Sequence, residues 1–100
     1  MAIISYYKQP GERYPIGVDF VDRLPVGTSI VSATVTVFDE AGVNAAATIL
    51  DGAATVSGSV VVQTIKAGVN GQRYDMKFIA ALAASAGTVE SDITLFVREE

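Results

Sequence analysis

Glycine and proline interrupt this chain at short intervals, at Pro10-Gly11, Pro25 to Gly27, Gly42, Asp51-Gly52, Gly58, Gly68 to Gly71 and Gly87. Glycine breaks regular structure through its conformational freedom and proline through its missing N–H. The segments left between them are too short for a helical bundle and suit a series of short strands.

The side-chain patterns agree. From Ser29 to Phe38, Ala33, Val35 and Val37 fall on one face and Ser32, Thr34 and Thr36 on the other, the two-residue period of a half-buried strand. Adjacent Ile30 and Val31 break that alternation and predict a bulge or an entry buried on both sides. Ser59 to Ile65 is rich in β-branched residues and reads as a central strand. Tyr74, Met76, Phe78, Ala80 and Leu82 alternate with Asp75, Lys77, Ile79, Ala81 and Ala83, while Ile93, Leu95 and Val97 alternate with Asp92, Thr94 and Arg98. These two runs flank Ser85-Ala86-Gly87-Thr88 and predict an antiparallel hairpin. A helix over 78–86 competes because alanine favours helices, but the alternation before it and the β-rich partner after it favour a strand. Ala45-Ala46-Ala47 and Ala53-Ala54 read as small strands between turns.

The expected strands cover about 2–7, 15–22, 29–38, 45–50, 53–66 in one or two pieces, 72–84 and 88–98. About seven antiparallel strands at this spacing predict an all-β sandwich of immunoglobulin-like or fibronectin-like type. Its core is expected to include Val35, Val37, Val61, Tyr74, Met76, Phe78, Ile93, Leu95 and Val97. Gly71-Gln72-Arg73-Tyr74 is similar to the tyrosine corner of such sandwiches, where a Tyr near the start of the penultimate strand bonds back to the preceding turn. Gly71 and Tyr74 are therefore the candidate structural corner. The absence of Cys and Trp excludes antibody-type domains.

With 100 residues, half of them hydrophobic and 18% charged, the chain is expected to form one domain over 1–100 and to fold alone. Having no His and no Cys, it has no disulfide, thiolate nucleophile, Cys/His zinc site or imidazole base, which argues against an enzyme. No cofactor is expected. Seven scattered basic residues against eleven acidic ones, net charge -4, make nucleic acid an unsuitable partner. No apolar run approaches the ~20 residues that cross a bilayer, and the N-terminus lacks the basic and apolar regions of a signal peptide. No membrane is expected as partner, and synthesis in a cytoplasm is.

Carboxylates gather at Asp39-Glu40, at Asp51-Gly52 and at Asp19 with Asp22. They lack the alternating acidic pattern of a calcium loop and read as turn chemistry. A glycosidase carboxylate pair lacks aromatic sugar platforms here. Gly68-Val69-Asn70-Gly71 lacks the Lys-Ser/Thr and the strand-to-helix context of a phosphate cradle, so it reads as a tight connection. Tyr6, Tyr7, Tyr14 and Phe20 concentrate half of the eight aromatics near the N-terminus. They read as core residues or interface anchors, and Tyr6, Tyr7, Lys8 and Tyr14 are the candidate interface. This arm, with Pro10-Gly11 behind it, is expected either to add to a neighbouring subunit's sheet or to pair with its own.

Lys8-x-Pro10-x-Glu12, Asp19-Phe20, Leu24, Gly27 and Ile30-Val31-Ser32-Ala33, then Gly68, Gly71, Tyr74, Gly87 and Ile93-x-Leu95-x-Val97-Arg98, follow one another in a recognisable order. In these features the chain resembles a family of small tailed-bacteriophage proteins, the fiber-tail adaptor proteins, over nearly its whole length. The resemblance implies an immunoglobulin-like virion structural protein that joins fibers or other appendages to the tail. It implies tail or fiber proteins as partners, further copies of the chain among them. It also implies a place in the virion after assembly in the host cytoplasm, or encoding by a prophage. The resemblance carries no catalytic residues. The rival reading is a free-standing adhesion or carbohydrate-binding sandwich.

Overall fold

A computed structural model describes residues 4–24, 26–83 and 87–98. The chain runs β1 (Ile4–Lys8), β2 (Tyr14–Asp19), β3 (Ile30–Asp39), a four-residue helix α1 (Ala46–Ile49), β4 (Thr55–Ser57), β5 (Val60–Ile65), β6 (Arg73–Leu82) and β7 (Thr88–Val97). One sheet has the order β1-β7-β6-β3 and the other the order β2-β5-β4. Their apolar faces meet in a β-sandwich.

Alternation decides which side chains enter the core. Tyr74, Met76, Phe78, Ala80 and Leu82 of β6 are buried, and so are Ile93, Leu95 and Val97 of β7 and Val35 and Val37 of β3. Ile16 and Val18 of β2 with Val61 and Ile65 of β5 close on them from the other sheet, while Phe20 and Ile49 fill in from connecting segments. All nine expected core residues are buried. Gln63 also points inward, and its amide donates to the Gly52 and Thr64 carbonyls at 3.1 and 2.9 Å, which satisfies both of its N–H groups.

The predicted hairpin is present: β6 and β7 pair antiparallel from Arg73↔Phe96 to Ala81↔Thr88. The competing helix over 78–86 is replaced by strand through Leu82, and Ser85-Ala86 of the expected loop lie outside the described residues. Of the two readings of Ile30-Val31, the bulge is the one found: the β3 to β6 register shifts between Ile30 and Ser32, and Val31 is exposed rather than buried. β5 is the central strand of its sheet.

Four expectations are corrected. The strands are not all antiparallel, because β1 pairs with β7 in parallel from Ile4↔Ile93 to Lys8↔Val97. The arm is thus part of its own sheet; two strands at opposite ends of a chain are free of the hairpin geometry that makes sequence neighbours antiparallel. The strand expected over 45–50 is instead α1: its flanks touch strands only at single points, the Ala45 N–H on the Val37 carbonyl and Leu50 in one bridge to Ile65, so alanine's propensity prevails between them, and the Asn44 side chain accepts the Ala46 N–H at 2.9 Å. Ala53-Ala54 precede β4 and are not strand, while β2 stops at Asp19, before a 3-10 turn at Val21–Arg23.

Phe78 is fully buried at the centre of β6, so Phe78→Ala should lose on the order of 3–5 kcal/mol. Urea unfolding checks this, and an unchanged midpoint would contradict the assigned core.

Candidate functional site

The four aromatic-arm residues come together at one end of the sandwich but take different roles. Tyr6 is partly buried against the core, whereas Tyr7, one residue on, is 63% exposed on the outer face of the four-stranded sheet. Parallel register sets Tyr7 opposite Phe96. The two rings stack with centroids 5.2 Å apart and planes 18° from parallel, and the Arg98 guanidinium lies 5.7 Å from each centroid. Such a cation over aromatic faces is attracted by their quadrupoles. Phe96 and Arg98 belong to this cluster although the sequence did not nominate them. The signal was the pairing partner of Tyr7, which only the parallel register supplies.

Lys8 is corrected from a candidate interface residue to an interior one, with 2% of its surface exposed. Its Nζ donates to the carbonyls of Gln9 at 2.7 Å, of Pro10 at 3.3 Å and of Ala67. Burial pushes the ammonium below its ordinary pKa, and the nearby Glu12 carboxylate works in the opposite direction. Tyr14 donates its hydroxyl to the Tyr7 carbonyl at 2.9 Å. Burial raises the Tyr14 pKa, with Glu12 and Tyr6 adding to the rise.

Gly71 and Tyr74 lie at the β5–β6 connection. The Tyr74 hydroxyl accepts the Val69 N–H at 3.0 Å, and the Gly71 N–H donates to the Val97 carbonyl at 2.8 Å. Gly71 has φ +86° and Gly68 φ +100°, a region open to glycine. At Gly68 a Cβ would also stand 2.8 Å from Val97 Cγ2, so the corner closes directly onto β7.

The carboxylates behave as turn groups. Asp39 Oδ1 accepts the N–H groups of Ala41 and Val43 at 2.9 and 3.0 Å. Asp19 accepts the Ser59 hydroxyl at 2.7 Å and the Val21 N–H at 3.0 Å, which hold its pKa below the usual carboxylate range. Asp51 is held low by its bond to Arg13. Glu40 accepts the Arg73 N–H at 2.8 Å. No group of three or more metal-ligating side chains occurs among the described residues.

The arrangement offers a surface for contact: exposed aromatic rings, a guanidinium and sheet edges. A family model described as Podophage GP4 fiber-tail adaptor protein gp77 matches residues 8–96. The chain belongs to that family, a structural adaptor and a component of the phage tail. The matched span takes in β2 through β6 and most of β7. No match was found among curated proteins.

Two predictions follow from these bonds. Tyr74→Phe keeps the ring and deletes the bond to Val69, for an expected loss of about 1 kcal/mol; an unaltered urea midpoint would contradict a stabilising hydroxyl. Asp19 and Asp51 ionise more readily folded than unfolded. They therefore add stability above the unfolded carboxylate range and lose it as pH falls through their folded values. The double variant Asp19→Asn, Asp51→Asn should lose melting temperature less steeply than the parent between about pH 5 and pH 2, and parallel acid limbs would contradict this.

Proposed function

We propose that the chain is a non-enzymatic virion adaptor that joins fibers or other appendages to the phage tail through protein–protein contacts. The observation that carries this reading is the family match over residues 8–96. The residue inventory agrees with it, since a chain without His or Cys lacks the common nucleophiles and bases. The working unit is one immunoglobulin-like domain. That reading is supported by the strand order: lettered A to G along the chain, β2, β5 and β4 are B, E and D, and β3, β6 and β7 are C, F and G. The partners are tail or fiber proteins, with further copies of the chain among them, and neither nucleic acid nor membrane takes part. Synthesis and assembly take place in the host cytoplasm, from a phage or prophage gene.

The surface best suited to a foreign protein is the cluster of Tyr7, Phe96 and Arg98. Tyr and Arg dominate the energetics of protein interfaces because they bury large areas and retain polar contacts. Here the stacked rings and the guanidinium are already ordered by one another, which lowers the entropy lost on docking. Tyr7 is fixed from both sides along β1: Tyr6 packs against the core, Lys8 is held by backbone carbonyls, and the Tyr14 hydroxyl bonds the Tyr7 carbonyl.

The test is the double variant Tyr7→Ser, Arg98→Ala, made in the phage. The purified variant should keep its β-type circular dichroism, while tails assembled with it should carry fewer fibers by electron microscopy. Full fiber occupancy would remove this cluster as the attachment surface.

A further inference from the structure

The sandwich has four sheet edges, and their protection differs. At the end of β1 the outward Tyr7 carbonyl is taken by the Tyr14 hydroxyl at 2.9 Å, and just beyond the strand the Gln9 N–H is taken by the Glu12 carboxylate at 2.7 Å. β2 carries Pro15, which has no N–H, and the charged Asp19. β4 is three residues long. Short length, proline and charge are the devices by which edge strands avoid pairing. β3 is different: it has ten residues, and the run 28–38 holds no charge, no glycine and no proline.

Half of the β3 edge is covered within the chain, where the Ala45 N–H donates to the Val37 carbonyl and the Asp39 N–H to the Val43 carbonyl, both at 2.9 Å. These bonds show that odd-numbered residues turn their backbone groups away from β6. By the alternation of a regular strand, Ala33 and Val35 do the same, and no described residue pairs with them.

We propose that this open edge pairs with the same edge of a second copy, antiparallel about a two-fold axis at Thr34. The segment is self-complementary. Ala33 of each copy meets Val35 of the other, so the open N–H and C=O groups of both residues form four backbone hydrogen bonds. On the outer face Thr34 meets Thr34, and Ser32 meets Thr36 twice, a hydroxyl ladder of the kind that supports cross-strand pairs. The covering segment 43–45 ends the pairing at Thr36. In this register Val31 of the incoming copy would reach Val37, where Ala45 already covers the edge, and the bulge at Val31 interrupts the regular strand at that same point. With no charge in the run there is nothing to select a foreign partner and nothing to repel a copy. The contact is smaller than the ~1,200–2,000 Å² of a stable interface, so the dimer forms reversibly in isolation and is favoured where copies are held together. Copies of the chain as partners are part of the adaptor reading above, but the experiment uses purified protein and is independent of fiber attachment.

The chain has no cysteine, so one introduced thiol reports a symmetric contact unambiguously. Across a non-hydrogen-bonded antiparallel pair the Cα atoms are ~4.5 Å apart, within disulfide range. Thr34→Cys should therefore form a disulfide dimer at least about tenfold faster than Thr36→Cys, whose thiol faces Ser32 of the other copy. In the unmodified chain, the Ala33 and Val35 amides should exchange more slowly at about 1 mM than at about 10 µM protein. Equal crosslinking rates for the two variants would overturn the proposal. So would concentration-independent exchange at Ala33 and Val35, the result expected if another protein's strand or nothing fills this edge.

Discussion

The structure depends on a buried ammonium group. A charge taken out of water is costly unless hydrogen bonds replace its hydration, and Lys8 meets that requirement with the carbonyls of Gln9, Pro10 and Ala67. Three donors are matched by three acceptors. To supply them, the chain must turn immediately after β1, and the β5–β6 corner must fold back over the end of β7. The corner does so through left-handed backbone at Ala67, φ 51°, and at Gly68. The Arg98 N–H then bonds the Lys8 carbonyl at 2.8 Å and completes the parallel seam. The first strand, the last strand and the loop between the two middle strands are thereby joined at one point.

The outer surface follows from that junction. Lys8 and Tyr6 point inward, so Tyr7 must point outward by the alternation of a strand, and parallel register places its ring on Phe96. The same seam makes β1 an edge strand whose last outward carbonyl is met by Tyr14, with Glu12 bonding the chain just beyond it. The guarded edges of β1, β2 and β4 disfavour indiscriminate strand pairing, while the aromatic cluster and the middle of the β3 edge stay exposed.

Much of this was legible in the sequence, for reasons that can be traced to residues. Alternation in 74–82 and 93–97 specified both the hairpin and which side chains are buried, because a one-residue slip would turn every core residue outward. The paired Ile30-Val31 announced a break in the alternation, which the structure makes a bulge. Carboxylates at turns announced their own backbone bonds, as Asp39 and Asp19 make them. The sequence did not reveal what depends on distant pairing. Parallel β1 was hidden because nothing in 4–8 encodes direction, and the Tyr7, Phe96 and Arg98 cluster was hidden with it. Lys8 looked like a surface residue because its three acceptors are backbone carbonyls, which no side-chain pattern advertises. α1 was missed because alanine runs fit a strand or a helix until the neighbours are known.

The most direct test of the account is native-state hydrogen exchange on the isolated chain, read at the Tyr6 and Lys8 amides. In the parallel seam both N–H groups face β7, so they should be protected nearly as well as amides in the centre of β6, opening only with global unfolding. Exchange of Tyr6 and Lys8 at the rate of an unstructured peptide, with β6 still protected, would show that the arm is free in the isolated chain and would contradict the seam on which the exposed aromatic cluster depends.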